Sequence, residues 1–193
     1  LKYHKWEKIF DFFRDHPIAK GTIATKIIPT AFLSYNPNKK VRIRFSLMPQ
    51  TYSTLLEPNT SLIIDRIKAI NTFIEAGYDI HINFSPVVVE RDWLKHYEEL
   101  FKLVNDNVKD EYKKDVKCEV IFLTHNESKH IQNVRDDLKG EELLWVPRLQ
   151  EDKTSGYGGK NVRYKLELKG IYIREFMKLH NEIIPWNTIR YIF

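Results

Sequence analysis

The stretch Val41-Arg42-Ile43-Arg44-Phe45-Ser46 alternates apolar and polar residues with a period of two. Thr22-Ile23-Ala24-Thr25-Lys26 and Asp79-Ile80-His81-Ile82-Asn83-Phe84-Ser85 follow the same rule. Each reads as a strand, and each is followed by a helical pattern. Strand–helix alternation predicts a parallel sheet. Parallel strands are normally apolar on both faces, because helices cover both. Here one face carries Lys26, then Arg42, Arg44 and Ser46, then His81, Asn83 and Ser85. Burying that many donors and charges in an apolar core is costly. The pattern therefore predicts an α/β fold with a barrel-like sheet. Its outer face packs on helices, and its inner face lines a wet or cofactor-filled lumen.

Outward from these strands, Trp6, Ile9, Phe10 and Phe13 predict a first helix closed by Pro17. The first strand is expected over 21–27, the second over 41–47. Pro49 and Pro58 bracket a stretch expected as loop. Thr60 or Ser61 is the expected cap of a helix with Ile63, Ile67, Ile70 and Ile74 on its buried stripe, and Gly77 its left-handed stop. Asp92 is the expected cap of the next helix, with Trp93, Tyr97, Leu100, Phe101 and Val104 facing the core. A fourth strand over 116–123, a polar helix over 128–137 and an extended run over 143–149 follow. The glycine-rich stretch 155–161 is the strongest turn signal. A helix over 167–183, with Leu168, Ile171, Tyr172, Phe176, Leu179 and Ile183 on one side, precedes a short strand over 188–193. Residues 1–150 then form half of a barrel, and 151–193 pack on it as a hairpin, helix and strand.

At 193 residues the chain can bury a real core, and 42% hydrophobic with 30% charged residues is ordinary for a globular protein. The net charge of +5 is compatible with nucleic acid without demanding it. No apolar run approaches the ~20 residues of a membrane span, so no membrane partner is expected. Cys118 is the single cysteine, which excludes an internal disulfide framework and a multi-thiolate metal site within this chain. It is expected to be an inert packed residue. The protein is read as cytoplasmic and monomeric. Starting at Leu1, almost directly inside a helical pattern, the chain is expected to be part of something longer.

Active sites of barrels gather at the C-terminal ends of the strands. By alternation Lys26, Ser46 and Ser85 point inward there, and Thr124-His125-Asn126 lies just past the fourth strand. This rim suits a polar cofactor or substrate. Arg42 and Arg44 either share that role or form a solvated face paired with acids such as Glu119. The seven histidines show no metal spacing: His125 and His130 stand five apart without a thiolate or carboxylate partner in the usual pattern, so no metal site is expected. Tyr157, followed by Lys160, Arg163 and Lys165, is either a hairpin finger with an aromatic wedge and phosphate-binding cations or an ordinary glycine-rich surface loop.

Further segments keep one order and spacing with the arginine strand: Glu57-Pro58-Asn59-Thr60-Ser61, Asp65-Arg66-Ile67-Lys68-Ala69, Glu75-Ala76-Gly77-Tyr78, Phe84-Ser85-Pro86, Trp93, and Tyr97-Glu98-Glu99-Leu100-Phe101. Together they resemble the spore photoproduct lyase family, from about residue 21 to 122 and more loosely over 157–193. The resemblance implies the C-terminal part of a partial (β/α)6 radical-SAM TIM-like barrel. Its cofactors in the complete protein would be a [4Fe-4S] cluster, held by a CxxxCxxC loop, and S-adenosylmethionine (SAM). A 5′-deoxyadenosyl radical would take a hydrogen from a thymine-dimer lesion in DNA, the partner, and the lesion would split to two thymines. Carried over residue by residue, Lys26 and Ser46 become SAM contacts and Ser85-Pro86 the segment beneath the adenosine. Tyr157 and Lys160, with Arg163, fall in the DNA-inserting hairpin, although Gly156 stands where an arginine usually precedes the tyrosine.

No CxxxCxxC is present, so this chain alone is expected to hold no cluster, bind no cofactor and lack activity. The alternative is a non-catalytic nucleic-acid-binding or scaffold half-barrel. A third reading, a TIM-like enzyme acting on a phosphorylated metabolite, is weakened by the absence of a glycine-rich phosphate loop.

Overall fold

The structure, a computed structural model, describes residues 5–154, Gly156 and 158–193. Along the chain run α1 (Trp6–Asp15), β1 (Gly21–Thr25), β2 (Val41–Leu47), α2 (Gln50–Leu56), α3 (Ile63–Glu75), β3 (Asp79–Val87), α4 (Trp93–Asn107), α5 (Asp110–Lys113) and β4 (Lys117–Phe122). Then come β5 (Thr124–His125), α6 (Glu127–Arg135), α7 (Glu141–Leu144), β6 (Gln150–Thr154), β7 (Lys160–Tyr164), α8 (Leu166–Ile183) and β8 (Thr188–Ile192). Five strands form a parallel sheet in the order β1-β2-β3-β4-β8. A small antiparallel sheet, β5-β7-β6, is attached where β4 ends.

Strand order follows chain order across the parallel sheet. Right-handed crossovers in one direction put the connecting helices on one face. That face takes the apolar half of the alternation. Ile43 pairs with Ile80 and Phe45 with Ile82, and all four are buried. Phe45 meets Phe73 of α3 with ring centroids 5.5 Å apart. Phe84 sits between Phe101 of α4 and Phe176 of α8, at 5.3 and 5.9 Å. The opposite face carries Arg42 beside Asp79, Arg44 beside His81 and Ser46 beside Asn83. A slip of one residue would invert this arrangement, so the alternation decides the register.

Several elements differ from the sequence expectation for local reasons. The stretch between Pro49 and Pro58 is a helix, α2, not a loop. Proline is tolerated at the entry of a helix and just beyond its end, and seven residues are too few for periodicity to show. The run over 143–149 is not extended: it holds the end of α7 and a 3-10 turn at Pro147–Leu149. Its turns are closed by the Trp145 amide bonding the Glu141 carbonyl and the Leu149 amide bonding the Val146 carbonyl, and the Gln150 side chain bridges the Val146 amide and the Leu144 carbonyl. Thr60 and Ser61 do not cap α3, whose N-cap is Leu62. Their hydroxyls serve the rim, Thr60 bonding the Glu57 carbonyl and Ser61 accepting from the Ile28 amide. On α8 the buried residues are Phe176 and His180, while Ile171 is exposed. β1 stops at Thr25, leaving Lys26 just past the paired strand.

Phe84 joins the sheet to two helices, so Phe84→Ala is expected to lower the unfolding free energy by about 3–5 kcal/mol. Ile18→Ala, at a site 84% exposed, is expected to change it by less than about 0.5 kcal/mol. Urea denaturation of both variants checks this, and a near-neutral Phe84→Ala would contradict the packing.

Candidate functional site

At the C-terminal ends of β1 and β2 a fully buried ion pair organises the rim. The Glu57 carboxylate, 2% exposed, lies 2.9 Å from Lys26 Nζ through Oε1 and 2.8 Å from Arg66 Nη1 through Oε2. Arg66 also donates to the Ser46 carbonyl at 2.9 Å, the Ser61 carbonyl at 2.9 Å and Thr60 Oγ1 at 2.6 Å. A buried guanidinium is tolerable only when its donors are used in this way. The network joins Lys26 to the backbone of Ser46 through two residues. β1 pairs with β2 through Thr25 and Phe45, so Lys26 and Ser46 are the next step of the same register. Ser46 is buried, whereas Lys26 is nearly half exposed.

Ser85 lies farther along the rim, where β3 ends with a cis Ser85–Pro86 peptide. It lines a cavity of about 510 Å³ with Leu56, Pro86, Leu123, His125 and Asn133. The three residues expected to bind a cofactor thus occupy one end of the sheet, Lys26 and Ser46 side by side and Ser85 on the next strand.

Below the rim, the polar face is closed by charge pairing. Arg42 Nε donates to Asp79 at 2.8 Å. Glu119, 2% exposed, receives Arg44 at 3.0 Å and Arg190 at 2.9 Å, and His81 Nδ1 lies 3.5 Å from it. Pairing of the arginines with acids, one of the two sequence readings, is what the structure contains. Burial works to raise the Glu119 pKa, but hydrogen bonds from Arg44 and Tyr191, with the charges of Arg44 and His81, hold it below the ordinary value. His81 is pushed down to about 4, first by burial and then by Arg42 and Arg190, against the opposing pull of Asp79 and Glu119. Asn83 Oδ1 and Arg44 Nε are buried with no hydrogen-bond partner among the described residues. Such atoms are costly to leave unpaired.

The hairpin cations diverge. Alternation along β7 puts Lys160 with Val162 and the buried Tyr164 on one side and Arg163 on the other. Lys160 is exposed at the start of β7 and lines a second cavity of about 480 Å³ with Trp145, Asp152 and Lys153. Arg163 is held by Glu151 across the strand pair at 3.1 Å. Tyr157 lies outside the described residues.

Two features escaped the sequence reading. Arg66 was legible in principle: spaced three from Ile63 and next to Ile67, it falls on the apolar stripe of α3, where a charge needs partners. The second is a cluster of His125, His130 and Glu141, whose ligand atoms lie within 4.8 Å of one another. The carboxylate that the histidine spacing lacked comes from α7, across a turn no spacing rule covers. Cys118 behaves as expected: it is buried under α8 with its thiol 3.7 Å from His180, and burial raises its pKa well above the ordinary range.

Because the unfolded chain protonates His81 near 6.5 and the folded one only near 4, the folded state binds fewer protons between those values. Its contribution to stability is complete above pH 6.5 and is lost as pH falls towards 4, amounting to about 3 kcal/mol. Urea unfolding of wild type and His81→Gln across that window should show the wild type losing this increment relative to the variant. Parallel curves would contradict it.

A family model described as spore photoproduct lyase matches residues 3–193. The chain is 28% identical over 116 residues to a spore photoproduct lyase of Clostridium acetobutylicum, covering 60% of this chain and 34% of that protein. It is 25% identical over 119 residues to one of Bacillus subtilis strain 168, covering 61% and 35%. Among solved structures, a mutant spore photoproduct lyase with bound AdoMet and dinucleoside spore photoproduct superposes with a TM-score of 0.88 at 20% identity, over 97% of this chain and 55% of that one. A spore photoproduct lyase complexed with dinucleoside spore photoproduct gives 0.88 at 21%, over 98% and 56%. The chain therefore spans about half the length of those structures, and its matched segments about a third of the curated relatives. With the fold, the rim and a family match over nearly every residue, the chain belongs to the spore photoproduct lyase family.

Proposed function

We propose that this chain is the C-terminal portion of a radical SAM lyase that repairs spore photoproduct, a thymine-dimer lesion of DNA, by hydrogen-atom abstraction. The observation that carries the reading is the rim itself. Lys26, Ser46 and Ser85 share one end of the sheet, with Asn83 the register partner of Ser46. The reading takes the five parallel strands as part of a partial (β/α)6 barrel, with residues 1–150 as its wall and 151–193 packed on it. It also takes the protein as monomeric and cytoplasmic.

In this proposal Lys26, Ser46 and Ser85 hold SAM, which supplies, once cleaved, the group that abstracts hydrogen from the lesion. The Lys26 ammonium has three donors, and Glu57 engages it from the buried side while the rest of the side chain faces the rim. It can add a charge-assisted bond to a SAM oxygen. Glu57 and Arg66 are positioning residues that fix Lys26 and the Ser46 backbone. The cluster is a different matter. Cluster ligands are thiolates, and Cys118, the one cysteine, is buried under a helix with a raised pKa. These residues do not fit a [4Fe-4S] cluster, and in the proposal the complete protein provides its ligands elsewhere.

Substrate contact is assigned to the hairpin. Lys160 is the exposed cation at the start of β7, Tyr157 is the proposed wedge beside the lesion, and Arg163 would have to leave Glu151 to reach a phosphate. A damaged step costs less to unstack than an intact one, which makes insertion selective.

In the complete, cluster-loaded protein, conversion of dinucleoside spore photoproduct to the paired thymidines tests the activity. Lys26→Ala should weaken SAM binding about tenfold, the loss of one charge-assisted bond, measured by equilibrium dialysis. Unchanged affinity would remove the assignment. Lys160→Ala should weaken binding to any DNA sequence and lower the salt dependence by about one unit. An unchanged slope would place Lys160 away from phosphate.

A further inference from the structure

We propose that His125, His130 and Glu141 form a Zn2+ site that clamps the base of the hairpin sheet. The three residues come from three elements: β5, α6 and α7. Glu141 Oε1 lies 3.0 Å from His125 Nε2 and 2.6 Å from His130 Nδ1. Two imidazole nitrogens thus face one carboxylate oxygen. Around a tetrahedral Zn2+ with bonds of about 2.0–2.1 Å, ligand atoms stand about 3.3 Å apart. Glu141 Oε1 has to draw back from each imidazole by less than about 1 Å, and the two imidazole nitrogens, within 4.8 Å of one another, have to settle at the same spacing. Two histidines and one glutamate are a donor set this cation takes with a fourth position open.

The surroundings are those of a held ligand set. Asn133 Nδ2 donates to Glu141 Oε2 at 2.5 Å, which turns the other oxygen towards the imidazoles. The His130 ring is stacked on Trp145 with centroids 4.4 Å apart and planes 11° from parallel. Asn126 caps α6 by accepting from the Lys129 amide at 2.8 Å, which fixes the turn between the two histidines. Outer partners of this kind orient metal ligands. His125 and Glu141 are more than nine-tenths buried, and a divalent cation would balance the charge of the Glu141 carboxylate. His130 is about a quarter exposed, and His125 and Asn133 line the rim cavity, so an ion has a way in.

The site's place suggests its use. His125 pairs with Val162 of β7, so an ion held there would fasten β7 and its turn to the end of β4. The inference is independent of what the hairpin contacts.

The test uses untagged protein, since a polyhistidine tag would bind the same ion. Wild type, Glu141→Gln and His130→Ala are incubated with ZnSO4, dialysed, and their metal measured by mass spectrometry. Glutamine keeps the acceptor oxygen and lacks the charge, and His130 is the most exposed member, so both variants are expected to fold, as circular dichroism checks. Wild type should carry one more Zn2+ per chain than either variant. Its melting temperature should rise with Zn2+ over EDTA, as preferential binding to the folded state requires, and Co2+ should give the visible bands of a four-coordinate site lost in Glu141→Gln. Equal zinc in all three proteins, or a wild-type melting temperature that Zn2+ leaves unchanged, would overturn the proposal and leave a hydrogen-bonded cluster only.

Discussion

The Glu119 carboxylate is the charge on which the polar half of this sheet depends. It sits 2% exposed in β4 and binds Arg44 of β2 and Arg190 of β8, with His81 of β3 beside it. A parallel sheet with helices on one face leaves its other face to be covered or solvated. Here the covering is electrostatic. Two guanidinium groups that keep partial access to water satisfy one carboxylate that has almost none. Were both arginines removed, the stranded buried charge would be Glu119, and breaking a buried pair in that way costs about 3–5 kcal/mol. The same pairing draws β2, β4 and β8 together across the sheet, from the side opposite to the aromatic contacts of Phe84, Phe101 and Phe176.

That division of labour also explains where the chemistry can be. Apolar packing under the helices fixes the strands, and charge pairing closes the middle of the polar face. What remains open is the C-terminal rim, where β1 has ended, Lys26 projects beyond the paired strand, and Glu57 and Arg66 hold it. The rim is thus rigid from below and accessible from above, the condition under which a few side chains can hold a ligand in a defined pose.

Much of this was legible in the residues and some was not, for physical reasons. The period-two alternation of Val41 to Ser46 was enough to set the register, because one face of the sheet is buried and a slip would be ruinous. The Arg44–Glu119 pair was one of two readings open from the sequence, and burial of Glu119 favoured it. α2 was missed because its seven residues carry no full apolar stripe. α7 was missed because its four residues are too few for a period to show, and the turns after it are held by Gln150 from beyond the run. The hydroxyls of Thr60 and Ser61, read as caps, were drawn to Glu57 and Ile28 instead. Arg66 could have been found: an arginine within an isoleucine stripe announces a buried partner, which the structure supplies as Glu57.

In the proposed function SAM binds at the C-terminal rim of the parallel sheet. Amide hydrogen exchange of the complete protein, with and without SAM, tests it most directly. The account predicts slowed exchange in the peptides that contain Lys26, Ser46 and Ser85, and no change at the opposite ends of the same strands, around Gly21, Val41 and Asp79. Protection confined to those opposite ends or to the helix-covered face, with the rim unaltered, would contradict it.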